Sequence, residues 1–331
     1  NKLWVGQTSV IPGDAKISSY NVNDGQLISS TTLDGHSTAF ETVITGIKND
    51  GNGSLYFAGF FESSVNVQIN GTTVSHYSTG GSRDFFIGKM VNGAVDWFVT
   101  PQESTSVSHI WDIAIHNENE IYVVGDFYSN LQIGSANLST GGISNGFIAK
   151  INSTGNWQWA IQLECICTVM SRVITTDSSG NLFVVGSSQP GDIIFGNSVS
   201  EYPIGSNLNI FVAKFANSGM AQWSRSAASN GDDLGKSIGI DSQGRLYVAG
   251  SFEAPPSFGQ YQIANVGMRD IFVARMASDY DGDEIADVDD IDDDGDFIHD
   301  PFDPCPYSPL GFKSTSNYDH DSDGCHDDLE D

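Results

Sequence analysis

Short apolar segments alternate with polar turns along most of the chain, and the alternation repeats itself. The segments LYFAG (Leu55 to Gly59), IYVVG (Ile121 to Gly125), LFVVG (Leu182 to Gly186) and LYVAG (Leu246 to Gly250) recur about every 60 to 66 residues, which makes each period one structural repeat. A polar turn precedes each of them: NDGNGS (49–54), HNENE (116–120), DSSGN (177–181) and DSQGR (241–245). Such a turn ends an upstream apolar segment and reverses the chain, so the local reading is strand, turn, strand. About 20 to 25 residues after each glycine comes a second alternating segment, DFFIGKM (84–90), NGFIAKI (145–151), NIFVAKF (209–215) or DIFVARM (270–276). These place Lys89, Lys150, Lys214 and Arg275 at equivalent positions, and three are followed by a glycine and, four residues later, a tryptophan: Gly93 and Trp97, Gly155 and Trp159, Gly219 and Trp223. Each period is therefore expected to hold about four strands.

A four-stranded antiparallel unit of this length cannot bury both its faces alone, so neighbours must stack and share a core. Radial closure into a propeller answers that need better than an open solenoid, whose periods are shorter. DSSGNLFVVG and DSQGRLYVAG, with the following FVAK strand, resemble the prokaryotic β-propeller repeats of YVxG/FVAK type over roughly residues 43 to 276. The resemblance implies an all-β fold. The Gly-x-x-x-Trp piece is similar to the docking motif of quinoprotein propellers, but the fuller A-x-D-x-x-T-G pattern is absent, and Trp97, Trp159 and Trp223 are read as packing anchors between blades. The repeated Lys or Arg is read as a hydrogen-bond or charge partner between blades. Residues 1 to 35 form a degenerate first unit, and the last unit ends at Met276 without its Trp-bearing strand, so about five blades are expected over residues 1–277. Residues Asn1 to Gln7 admit two readings. Matching LWVG to LYVAG makes them the second strand of the first unit; matching NKLW to NWQW makes them an outer strand that completes the last unit, within one chain as a clasp or between chains head-to-tail.

From Asp279 the pattern changes abruptly. The spacing D-x-D-G-D-x-I-x-D-x-x-D occurs at Asp279 to Asp290 and again at Asp292 to Asp303. Carboxylates at loop positions 1, 3, 5, 9 and 12 converge on one point when glycine permits a sharp turn, and the carbonyl at position 7 adds an oxygen, which suits calcium. The first cage would use Asp279, Asp281, Asp283, Asp287 and Asp290 with the carbonyl of Ile285, and the second Asp292, Asp294, Asp296, Asp300 and Asp303 with that of Ile298. A third loop offers Asp319, Asp321, Asp323, Asp327 and Glu330, with Gly324 at position 6 and the Cys325 carbonyl at position 7. Magnesium, which keeps several waters, is disfavoured. The segment resembles thrombospondin type 3 repeats, including DPCP at Asp303 to Pro306. That family wraps calcium in a coil braced by disulfides, which implies a Cys305–Cys325 bridge and a calcium-stabilised tail over 278–331. The longer gap from Tyr307 to Tyr318 departs from the family's spacing.

Charge then changes the picture of the whole. The formal net charge is −28, and twenty of the 42 acidic residues lie between Asp279 and Asp331, so the charge belongs mainly to the tail. It opposes nucleic-acid binding and suits divalent cations. No run of about 18 apolar residues encodes a membrane span. Asn1 opens the chain without a methionine or an apolar leader, as expected of a processed protein. Four cysteines, Cys165 with Cys167 and Cys305 with Cys325, favour oxidised pairs outside the cytoplasm, and sequons at Asn52, Asn70, Asn137 and Asn152 are compatible with that place.

Catalytic signatures are sparse: no H-E-x-x-H or Walker loop occurs, the G-x-S-x-G spacing at Gly142 to Gly146 and Gly235 to Gly239 lacks a strand-to-helix context, and His36, His109 and His116 fall near blade junctions, where a structural role is expected. The functional expectation is a secreted, calcium-binding, non-enzymatic protein of adhesion or surface assembly, with calcium ions, copies of itself and surface glycans or proteins as partners. The alternative is a carbohydrate-binding or glycan-processing propeller.

Overall fold

The structure is a computed structural model that describes residues 2–8, 14–35, 41–78, 83–104, 107–140, 143–196, 199–201, 206–241, 244–258, 261–276 and 298–299. Its regular elements are all strands, and they fall into five successive modules. The first holds β1 (Lys2–Thr8), β2 (Ala15–Asn21) and β3 (Leu27–Gly35). The second runs β4 (Thr42–Asn49), β5 (Ser54–Glu62), β6 (Ser64–Ile69), β7 (Thr72–Tyr77), β8 (Arg83–Val91) and β9 (Ala94–Val99), with β10 (Glu103–Ser104) after it. The third comprises β11 (Ser108–Asn117), β12 (Glu120–Phe127), β13 (Asn130–Ile133), β14 (Ala136–Ser139), β15 (Asn145–Ile151) and β16 (Trp157–Glu164). In the fourth are β17 (Val169–Thr176), β18 (Leu182–Ser188), β19 (Ile193–Phe195), β20 (Val199–Glu201), β21 (Asn209–Phe215) and β22 (Ala221–Ala227). The fifth has β23 (Leu234–Ile240), β24 (Leu246–Phe252), β25 (Ser257–Phe258), β26 (Tyr261–Gln262) and β27 (Asp270–Met276).

A full period therefore holds six strands rather than the four read from the pattern. Four of them make an antiparallel meander, in the order β4-β5-β8-β9, β11-β12-β15-β16 and β17-β18-β21-β22. The other two form a hairpin between the second and third meander strands. That hairpin reaches back to the outer strand of the preceding module: β6 pairs β3 through Asp34↔Asn66 and Gly35↔Val65, and β13 pairs β10 through Glu103↔Gln132. β19 pairs β16 through Leu163↔Phe195 and Glu164↔Ile194, and a single bridge, Ala228↔Ser257, repeats the arrangement at the fifth module. Backbone hydrogen bonds thus strap each module to the one before it.

Side chains supply the rest of the attachment. Ala15, Ile17 and Leu33 of the first module are buried with Leu55, Phe57 and Phe86 of the second. Tyr56, Ala58, Phe85 and Ile87 on the opposite face of the second share a core with Ile110, Ile121, Val123 and Phe147 of the third. Tyr122, Val124 and Ile148 of the third join Val184, Phe211 and Phe215 of the fourth. Period-two alternation sends successive residues of one strand into different cores, which is why these strands read as continuous apolar runs.

The sequence motifs have local causes. In DSSGN the Asp177 carboxylate accepts from the amides of Ser179 at 2.9 Å and Asn181 at 2.8 Å, while Gly180 takes a positive φ of 82°. The carboxylate closes its own turn. At the amino end, β1 pairs β2 in the register Lys2↔Asn21 to Thr8↔Ala15, and Trp4 packs on the first shared core. Residues Asn1 to Gln7 are accordingly read as the second strand of the first module; the outer-strand clasp onto the last module is not the pairing observed.

By compactness the chain divides into Asn1–Gly239 with Val248–Val273, and Ile240–Tyr247 with Ala274–Asp331. The expected boundary at 277/278 falls outside the described residues. In the second part, Asp241 holds the β23–β24 turn by accepting from the Arg245 amide at 3.0 Å and pairing with its guanidinium at 2.7 Å.

Candidate functional site

The calcium ligands expected at Asp279, Asp281, Asp283, Ile285, Asp287, Asp290, Asp292, Asp294, Asp296, Asp300 and Asp303 lie outside the described residues. So do Asp319, Asp321, Asp323, Cys325, Asp327, Glu330 and Cys305, while Ile298 belongs to the short described pair 298–299. Among the described residues, no group of three or more His, Cys, Asp or Glu side chains is placed to hold a metal. Cys165 and Cys167 are joined in a disulfide with their Cα atoms 4.9 Å apart, both buried beside Gly191, with Ile166 between them fully turned out.

Geometry at the repeated positions accounts for their chemistry. Gly59, Gly125, Gly186 and Gly250 close the YVxG motif inside β5, β12, β18 and β24, where the partner strand brings a carbonyl close. A Cβ there would lie 1.8 Å from the Val43 oxygen, 1.9 Å from that of His109, 2.2 Å from that of Met170 and 2.0 Å from that of Leu234. Only glycine admits that approach. In modules two to four the same approach accompanies a one-residue bulge in the first strand, at Thr45, Trp111 and Arg172. A bulge re-aims its side chain. Thr45 donates to the Ile110 carbonyl of the next module at 2.6 Å, Trp111 Nε1 donates to Asp126 Oδ2 at 2.8 Å, and the Arg172 guanidinium lies 4.2 Å over the Trp111 ring.

These side chains meet in one cluster spanning modules two to four. Asp126, 1% exposed, also holds His109 Nδ1 at 2.7 Å through Oδ1 and Arg172 at 3.6 Å through Oδ2. Phe60 stands edge-on to His109 at 4.7 Å, and Arg83 lies over Phe60 at 5.4 Å while pairing with Glu62 at 3.6 Å. Burial pushes the neighbouring Asp112 carboxyl up, opposed by its bond from the Ile174 amide of the next module at 3.2 Å. A His–Asp pair is present, and among the described residues His109 Nε2 is buried with no hydrogen-bond partner. The cluster is a clamp between modules.

The other repeated residues act likewise. Trp97 Nε1 donates to the Ser153 carbonyl at 2.9 Å, and its ring lies on Gly155 of the next module; Trp159 lies on Gly219 in the same way. Gly155 and Gly219 therefore seat the tryptophans of the modules before them, whereas Gly93 faces Ser29. The repeated lysines take their expected role between blades only in part. Each stands chiefly over a ring of the adjacent strand in its own module: Lys89 over Tyr56 at 5.6 Å, Lys150 over Tyr122 at 5.2 Å and Lys214 over Phe183 at 5.5 Å. Lys150 also pairs with Glu120 at 2.6 Å, whereas Lys89 reaches the next module by donating to the Ser153 carbonyl at 3.3 Å.

No protein-family model matches the chain. It is similar to an uncharacterized WD repeat-containing protein of Acanthamoeba polyphaga mimivirus, 24% identical over 240 residues, which cover 63% of this chain and 16% of that relative's length. Among solved structures it is similar to a protein of unknown function from Bacteroides caccae, with 13% identity and a TM-score of 0.42 over 80% of this chain and 72% of the other. The all-β modules and the WD-repeat relative fit a repeat protein of β-propeller-like build. Among the described residues, no helix is long and apolar enough to cross a membrane.

Proposed function

We propose that this chain is a calcium-binding, non-enzymatic structural protein of the cell exterior, acting in adhesion or surface assembly. Its five modules are blades of YVxG/FVAK type, and its tail is a thrombospondin type 3-like segment that calcium stiffens. The observation that carries this reading is the doubled spacing at Asp279 to Asp290 and Asp292 to Asp303, which puts five carboxylates and one carbonyl around each of two points. Support for the non-catalytic part comes from Asp126, both of whose oxygens are committed to His109, Trp111 and Arg172. The Cys165–Cys167 bridge supports an oxidising compartment. Assembly of copies is supported by β27, where Ile271 and Val273 are 84% and 72% exposed while their equivalents in the fourth module, Ile210 and Val212, are buried.

Calorimetric titration tests the core of this reading. Calcium should bind at two or more sites, and Asp281→Asn with Asp294→Asn should remove both tandem sites, since each takes a charged ligand from one loop. Absence of binding heat at millimolar calcium overturns the proposal.

A further inference from the structure

LWVG and the YVxG segments line up at their start, so Leu3 holds the place of Leu55, Ile121 and Leu182. Those three are buried in cores shared with the module before their own. Trp4 holds the place of Tyr56 and Tyr122 and, as they do, packs on the module that follows. Leu3, however, is 56% exposed. Its side of the sheet continues across the first module, because Leu3 pairs Tyr20 and Tyr20 pairs Leu27, itself 57% exposed. The first module thus presents one half of a junction, apolar and bare. The fifth module presents the other half. Phe272 lies beside Gly250 as Phe86 lies beside Gly59, Phe147 beside Gly125 and Phe211 beside Gly186, which makes β27 the equivalent of β8, β15 and β21. Ile271 and Val273 therefore hold the places of Phe85 and Ile87, which are buried against the third module, yet both face solvent. Among the described residues, β27 ends its sheet where β9, β16 and β22 flank its counterparts, and β1 ends its sheet where β4, β11 and β17 flank the strands equivalent to it.

We infer that these two faces bind each other between copies, the fifth module of one chain receiving the first module of a second copy, head to tail. The inference deepens the surface-assembly reading and rests on it, not on the calcium sites. The occupant follows from the repeat. Each face has the strand position and residue type of one half of a junction that the chain makes between its second and third modules and again between its third and fourth. A second copy supplies the missing half, whereas within one chain the two faces stay apart, since both are exposed. A joint made from two different surfaces propagates unless the rotation closes a ring. It is also weaker than the joints inside the chain. Only residues 9–14 separate β1 from β2, the second and third meander strands of the first module, so the hairpin that straps the later modules backwards has no counterpart here. The joint rests on side chains over a small area and is reversible.

Sedimentation velocity on the full chain tests this, in calcium and at physiological ionic strength, which screens the repulsion between two acidic chains. Wild type should pass from monomer to dimer and longer species as concentration rises from micromolar to millimolar. Leu3→Asp and Ile271→Asp should each raise the dissociation constant about tenfold or more, because each puts a charge into the apolar joint. Mixed in equal amounts, the two variants should form a one-to-one dimer and nothing longer, since each keeps the face that the other has lost. A variant that had merely unfolded would not be rescued in this way. Association that persists in either variant alone, or a mixture that stays monomeric, overturns these faces and leaves the surface-assembly reading standing. A wild type that stays monomeric at millimolar concentration overturns both.

Discussion

At the scale of single residues, the largest constraints are where no side chain fits and where a charge is buried. Gly125→Ala drives a Cβ against the His109 carbonyl and the Phe147 ring, two groups held by the sheet. It should cost about 3 kcal/mol or more, as overpacking against fixed backbone does. Gly51→Ala, at a turn with a φ of 78° and open space around it, should cost only about 1 kcal/mol from backbone conformation. Chemical denaturation of both variants checks the contrast; equal losses would mean that glycine is kept at the YVxG position for chain flexibility alone. Asp233 carries the second constraint. Burial pushes its carboxyl from 3.8 to about 6, helped by the charges of Asp232 and Glu253 and opposed by its bonds from Ser229. The folded protein therefore binds this proton more tightly than the unfolded chain does. The contribution to stability falls as pH rises from about 4 to about 6, and the cost is complete above that, at most about 3 kcal/mol. Asp233→Asn should be more stable than wild type at pH 7 and no more stable at pH 3.5, as unfolding midpoints at the two pH values will show.

At the scale of elements, the meander strands were legible and the straps were not. LYFAG and its three repeats declare themselves because both of their faces are buried, whereas β13 and β14 have only four residues each. Their apolar residues Leu131, Ile133 and Leu138 have meaning only once the second module is beside them. Trp97 and Trp159 stand between modules as read, while Trp223 stands edge-on to Phe183 of its own module; the seats, Gly155 and Gly219, could be identified only in space. The straps can be tested apart from the cores. Ile194 is 41% exposed on β19 opposite Glu164, so Ile194→Ala should cost under about 1 kcal/mol. Ile194→Pro removes an N–H from the strap and should cost about 3 kcal/mol. Limited proteolysis should then cut near residues 189–206 in the proline variant first. A proline variant as stable and resistant as the alanine one would show that the straps hold nothing. Trp97→Phe should lose about 1 kcal/mol with its bond to the Ser153 carbonyl, and Trp97→Ala about 2 kcal/mol more with the ring.

At the scale of the whole molecule, composition splits the sequence into a body of apolar strands and an acidic tail whose order is proposed to come from calcium. Hydrogen exchange with and without calcium should reflect this. Peptides from 278–331 should slow on adding calcium, while those from β5, β12 and β18 should exchange alike in both conditions; protection lost across the body on chelation would tie the cores to the ion. The calcium loops are read from spacing alone and lie outside the described residues. The pocket lined by Ser54, between the second and third modules, was not legible, since serine in a turn carries no signal by itself.

The shared cores bear also on how such a protein changes its length in evolution. The boundaries between the second and third and between the third and fourth modules have the same parts: a strap, a tryptophan on a glycine, and two facing sets of apolar residues. A duplicated stretch of one period therefore inserts with a ready-made junction on each side, and loss of one period rejoins two surfaces already shaped to meet. Gene duplication can lengthen or shorten the array without redesigning any core, so the number of modules is free to drift while the junction residues are not.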